Sequence, residues 1–75
     1  MKNVKIRLSS IQDVRNFVDI VTKHNIDVDL SSGRYVVDAK SIMGIFSLDL
    51  AKPIKVEIHA DSCEALVEEL KPFTI

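Results

Sequence analysis

The chain has 75 residues, of which 47% are hydrophobic and 28% charged, and its formal net charge is −1 at pH 7. This length predicts one domain over residues 1–75, and the nearly neutral charge argues against a nucleic-acid partner, which would need a basic surface. No apolar run has the length of a signal peptide or a membrane span, so we expect a cytoplasmic protein without a membrane partner.

The first elements are predicted from alternation and helical spacing. Apolar and polar residues alternate from Val4 to Leu8, which predicts a strand with one buried face. Ser10 is a candidate N-cap for the helix that follows, and Asp13 is placed to complete an approximate capping box. Lys23 and His24 suit the negative end of the helix dipole. The apolar stripe of this helix comprises Val14, Phe17, Val18 and Val21, with Ile11 and Ile20 beside it.

The rest of the chain predicts three more strands and two helices. Strands are expected at residues 26–30, 34–38 and 54–59, a turn at 31–33, and a short helix within 41–48 that Ser41 caps. Asp61 and Glu64 form a capping pair for a last helix, which buries Ala65, Leu66 and Leu70 and ends near Lys71, before Pro72. The order βαββαβα predicts an α+β fold of two layers, with helices on one face of the sheet.

Residues 38–48, Asp-Ala-Lys-Ser-Ile-Met-Gly-Ile-Phe-Ser-Leu, resemble the serine segment of HPr. HPr is the small phosphocarrier of the bacterial sugar phosphotransferase system. Lys23 and residues 26–30 also resemble the end of the family's first helix and its second strand. The resemblance implies the HPr open-faced β-sandwich, with a four-stranded antiparallel sheet, and protein partners from the phosphotransferase system.

The resemblance fails at the family's nucleophile, a histidine in a Gly-x-His-Ala-Arg-Pro stretch. An ungapped alignment places Ser10 near the histidine, Gln12 near the arginine and Asp13 near the proline. A phosphoserine ester is too stable for exchange, and Asp13 would repel an incoming phosphoryl group. We therefore expect neither an enzyme nor a competent phosphocarrier, and no catalytic residue.

Other chemistry-bearing residues have plainer interpretations. His24 lies at the carbonyl end of the first helix and is expected to be a surface or C-capping residue. His59 lies on the polar side of the fourth strand and is expected to be solvated. Cys63, the only cysteine, is expected to be a small apolar packing residue and forms no internal disulfide. Asp27 and Asp29 are interpreted as a solubilising sheet edge rather than a metal site. No metal and no cofactor are expected.

The retained serine segment has two interpretations that the sequence leaves open. By resemblance, Ser41 would be phosphorylated by a serine kinase, and the modified form would bind a transcriptional regulator. Alternatively, Ser41 is only an N-cap. Ile42, Met43 and Phe46 match the family's exposed apolar docking patch, although the same spacing suits a buried helix face.

Three functions follow from these observations. The first is a regulatory protein-binding module of the HPr type that docks through the Ser41 segment. The second is a functional phosphocarrier that uses an atypical residue. The third is an interaction domain without a link to sugar transport; the oligomeric state is expected to be a monomer or a weak dimer.

Overall fold

The computed structural model describes residues 2–75; Met1, which the domain prediction included, lies outside the described residues. The elements follow the predicted order and end in a short 3₁₀ turn at Lys71–Phe73. They are β1 (Lys2–Ile6), α1 (Ile11–Lys23), β2 (Asp27–Ser32), β3 (Tyr35–Asp38), α2 (Ile42–Phe46), β4 (Ile54–His59) and α3 (Glu64–Leu70).

The four strands form one antiparallel sheet in the order β1-β4-β2-β3. Alternation along β4 buries Ile54, Val56 and Ile58, while Lys55 and His59 lie on the opposite, open face. These buried strand side chains form one side of the core, and apolar side chains of the helices form the other side. The predicted α+β fold, a two-layer open-faced sandwich, is therefore confirmed.

The core depends on the apolar stripe of α1. Val14, Phe17 and Val21 are fully buried, and Val18 is half-buried beside them. Phe17 also contacts Phe73 edge to face, with ring centroids 6.2 Å apart. No polar or charged residue is buried within residues 2–75, so burial of apolar surface is the main stabilising contribution.

The end of the outer edge of β1 is covered by residues 73–75. The backbone N–H of Arg7 donates to the Phe73 carbonyl at 2.9 Å, and the N–H of Ile75 donates to the Lys5 carbonyl at 3.1 Å. These bonds flank a single bridge between Ile6 and Thr74, which shortens the strand edge left open on β1.

The hairpin between β2 and β3 differs from the prediction. β2 continues through Ser32, and its register pairs Ser32 with Tyr35, so the turn lies at Gly33 and Arg34 rather than at residues 31–33. Gly33 has a φ of +61°, in the left-handed region that favours glycine. The solubilising-edge interpretation of Asp27 and Asp29 is also wrong, because β2 is an interior strand paired with β4 and β3.

The start of α3 differs as well. The helix begins at Glu64 with Cys63 as its N-cap and has no side-chain cap hydrogen bond, so the predicted capping role of Asp61 is wrong. The hydroxyl of Ser62 instead donates to Glu64 Oε2 at 3.0 Å. Ala65 is exposed, whereas Leu66 and Leu70 are buried as predicted. Ala65 is about 100° around the helix from Leu66 and lies outside the face that Leu66 and Leu70 bury.

Candidate functional site

The beginning of α1 is built from two serines and one carboxylate. Ser10 is the N-cap, and its hydroxyl accepts a hydrogen bond from the backbone N–H of Asp13 at 3.1 Å. The Asp13 carboxylate accepts from the backbone N–H and the hydroxyl of Ser9, at 3.1 and 2.8 Å. The predicted capping box therefore exists, displaced by one residue, because Asp13 reaches Ser9 rather than Ser10.

These hydrogen bonds make Asp13 a fixed negative charge. The Ser9 hydroxyl and, next, the Ser9 backbone N–H lower the pKa of the Asp13 carboxyl below its ordinary value of 3.8. A helix N-terminus is where proteins bind anions, because its N–H groups are free and its dipole is positive. In this chain, a carboxylate of the first turn already lies at that end.

Neither histidine lies near this helix start. His24 is the C-cap of α1, roughly 20 Å along the helix axis from Ser10. Its Nε2 is 3.4 Å from Glu69 Oε1, within ion-pair range but not aligned for a hydrogen bond. His59 lies on the open face of the sheet, where Nε2 is 2.9 Å from Asp29 Oδ2. The imidazoles are thus at the opposite end of α1 and on the opposite face of the sheet.

The Ser41 segment forms the short helix α2. Ser41 is its exposed N-cap, and its hydroxyl accepts from the backbone N–H of Gly44 at 3.2 Å. A Cβ on Gly44 would lie 3.1 Å from Ser41 Oγ and 3.3 Å from Val37 Cβ. The glycine therefore lets α2 approach β3 and keeps the serine hydroxyl in its capping position.

The three residues predicted as a docking patch differ in exposure. Met43 is 76% exposed and Phe46 is 39% exposed, whereas Ile42 is half-buried and packs against the core. Ile45 is fully buried and anchors the helix. The patch is therefore formed mainly by Met43 and Phe46, with Ile42 at its base.

A shallow groove connects this patch with the beginning of α1. Ser9, Ser10 and Ile11 line one side of the groove, and Phe46 and Leu50 line the other. Ile11 is 67% exposed. The sequence pattern indicated only that Ile11 lies beside the buried stripe. Its place in the groove was not predicted, although an apolar residue at the first helical position and off the stripe is a signal for it.

The sequence of the chain matches a family model over residues 12–74, under the description PTS HPr component phosphorylation site. The chain belongs to the HPr family. The match begins two residues after Ser10 and includes α1 from Gln12 onward. A solved structure in the same family is described as a phosphocarrier protein, which is a carrier rather than an enzyme.

Solved structures agree with the HPr assignment. The chain is 27% identical to HPr-C-His from Thermoanaerobacter tengcongensis, with a TM-score of 0.79 over 93% of this chain and 86% of that one. The phosphocarrier protein HPr from Bacillus anthracis str. Ames is 23% identical, with a TM-score of 0.74 over 99% and 96% of the two chains, and shares the fold. None of the curated protein sequences is similar enough to count as a relative. Among residues 2–75, no helix has the length and hydropathy needed to cross a bilayer.

Proposed function

We propose that this HPr family member is a cytoplasmic regulatory protein-binding module of the phosphotransferase system and not a competent phosphocarrier. The observation that carries the proposal is the beginning of α1, where the Asp13 carboxylate accepts two hydrogen bonds from Ser9 and no imidazole is present. The exposed Ser41 segment, with Met43 and Phe46, supplies the docking surface.

The beginning of α1 has neither the nucleophile nor the charge that phosphotransfer needs. A carrier must hold a phosphoryl group on an atom that both accepts and releases it, next to groups that bind its oxygens. Ser10 offers only a hydroxyl, and that hydroxyl accepts the capping hydrogen bond from the Asp13 N–H. The neighbouring Asp13 carboxylate would face the phosphoryl oxygens as a like charge.

Docking is supported by the groove that Ile11 of α1 and Phe46 of α2 both line. Phe46 can serve as an aromatic anchor, and the exposed Met43 on the same short helix adds an adaptable apolar side chain. Ser41 is the N-cap of α2, where a phosphate would add about two negative charges next to Lys40. The partners would be a serine kinase that makes this change and a transcriptional regulator that binds the modified form, and the free protein would be a monomer or a weak dimer.

Phosphotransfer is tested by incubating the protein with enzyme I of the system and phosphoenolpyruvate. We expect no acid-labile label, because neither imidazole lies at the helix start. A competent HPr serves as the positive control. Acid-labile labelling of the wild type, lost in H24Q or H59Q, would overturn the proposal in favour of a phosphocarrier with an atypical nucleophile.

Regulation is tested with the serine kinase that modifies HPr proteins. We expect the wild type to be phosphorylated once and S41A not at all. The matched control is S10A, because it also removes an N-cap hydroxyl but leaves Ser41 in place. A wild type that the kinase does not modify, or an S41A variant modified like the wild type, would instead favour an interaction domain outside sugar regulation.

A further inference from the structure

The open face of the sheet brings together three side chains that can bind a metal. Asp29 on β2 is directly opposite Glu57 on β4, and His59 follows Glu57 on the same face. The ligand atoms of these three residues lie within 4.8 Å of one another. Sequence spacing did not indicate such a set, because Asp29 and Glu57 become neighbours only when β2 pairs with β4.

The distances between the ligand atoms suit a single small ion. His59 Nε2 is already 2.9 Å from Asp29 Oδ2, and the Glu57 carboxylate is held 3.4 Å from Lys55 Nζ. Ligands at about 2.0–2.2 Å from a tetrahedral zinc ion lie roughly 3.3–3.6 Å apart. To reach that spacing, the Glu57 side chain would turn away from Lys55, and the His59 imidazole and Asp29 carboxylate would move slightly apart as the ion replaces the direct contact between them.

The backbone under these side chains is rigid, and the side chains are accessible. β2 and β4 are the two interior strands, and each is hydrogen-bonded on both sides. Side-chain exposures of 40% for Asp29, 28% for Glu57 and 38% for His59 let an ion enter without opening the fold. Sites on paired strands hold their geometry better than sites on loops.

The charges around Asp29 favour a cation. The register places Glu57 on one side of Asp29 and Asp38 on the other, so three carboxylates lie in one row across the sheet. Like charges directly opposite in neighbouring strands are destabilising. Lys40 and Lys55 lie near this row and offset part of the repulsion, and a divalent ion bound between the carboxylates would offset more of it.

We propose that Asp29, Glu57 and His59 form a binding site for one divalent transition-metal ion, of which Zn²⁺ fits best. An imidazole nitrogen with two carboxylate oxygens is a ligand set that zinc accepts, and three protein ligands leave a fourth position for water. Mg²⁺ and Ca²⁺ prefer sites made only of oxygen ligands, so they are expected to bind more weakly.

The test is a calorimetric titration of the full chain with Zn²⁺ alone. We expect one ion per chain for the wild type and affinity reduced about tenfold or more in H59Q and D29N. The matched control for H59Q is H24Q, which removes the other histidine, and C63S controls for binding by the thiol. Both controls are expected to keep the wild-type affinity. Far-UV circular dichroism of each metal-free variant verifies that the fold is retained.

Two results would overturn the proposal: no saturable Zn²⁺ binding by the wild type, or a loss of binding in H24Q or C63S that matches the loss in H59Q. A second measurement follows the His59 imidazole nitrogen by NMR, since direct ligation shifts that resonance. A His59 signal unchanged at saturating Zn²⁺ would place the ion elsewhere and contradict the site.

Discussion

Single side chains determine the charge at the beginning of α1. Ser9 donates two hydrogen bonds to the Asp13 carboxylate, and Ser10 caps the helix. These short polar residues hold a negative charge next to the free N–H groups of the first turn. The same helix end that suits a phosphoryl group in a carrier is therefore stabilised here by an anion of the chain itself.

The lowered pKa of Asp13 predicts a specific dependence of stability on pH. Because the folded pKa lies below the unfolded value near 3.8, ionised Asp13 stabilises the fold above that pH, and the contribution is lost as the pH falls through the folded value. Urea unfolding of the wild type and D13N across this range is expected to show a difference that shrinks on acidification. An S9A variant should reduce the difference, whereas a constant difference would contradict the role of these hydrogen bonds.

Gly44 determines how closely α2 can pack against β3. Its low helix propensity weakens α2, and the sequence explains no more than that. In the structure, a Cβ at this position would press on Ser41 Oγ and Val37 Cβ. The missing side chain thus permits the close approach of α2 to β3.

The three helices differ in how their first turns are capped, and the difference bears on the proposed role of Ser41. α1 and α2 have serine N-caps whose hydroxyls accept hydrogen bonds from the first turn. α3, whose N-cap is Cys63, has no side-chain cap hydrogen bond. Since α2 has only five residues, its stability depends on the Ser41 cap and on the buried Ile45. A modification of Ser41 therefore acts directly on the hydrogen bond that caps this short helix.

Loss of either serine cap is expected to cost a similar amount of stability. S10A and S41A should each lower the free energy of unfolding by about 1 kcal/mol, because each leaves a first-turn N–H without its acceptor. Urea unfolding measures both values. The matched control is S32A, a strand serine that caps no helix, for which we expect a change within about 0.5 kcal/mol. A cost in S32A equal to the other two would remove capping as the explanation.

The molecule as a whole is held together by one small apolar core. The core comprises the buried side chains of the sheet and one face of each helix, and its largest fully buried member is Phe17. A core in a chain of this size rarely contributes more than about 3–5 kcal/mol of net stability. Removing one large core side chain is therefore expected to cost about as much free energy as the whole net stability of the fold.

Substitution of Phe17 in α1 and of Phe46 in α2 tests how much a core side chain contributes to the free energy of unfolding. F17A is expected to cost about 3–5 kcal/mol, because it opens a cavity in the core and removes the contact with Phe73. F46A should cost about 1 kcal/mol, because Phe46 is 39% exposed on the proposed docking patch. Thermal unfolding followed by circular dichroism measures both. Equal losses in the two variants would show that Phe46 belongs to the core.

The periodicity of apolar residues was sufficient to predict most of the fold and part of the candidate site. Alternation along residues 54–59 and the stripe of Val14, Phe17 and Val21 correctly indicated which side chains are buried. The predictions that Asp61 caps α3 and that Ala65 is buried were wrong, because local capping signals do not show how α3 packs against the core. The HPr family follows from residues 38–48 and the element order, and the family model supports it.

The amino-acid sequence by itself determined the order of the elements, the absence of a histidine near Ser10 and the family, because these depend on residue identity and short-range spacing. Only the tertiary structure decided that β2 is an interior strand, that Ile11 and Phe46 border one groove, and that Asp29 lies opposite Glu57. The physical reason is that strand order and helix packing depend on contacts between residues far apart in the chain. Those contacts form only when the whole apolar surface is buried together.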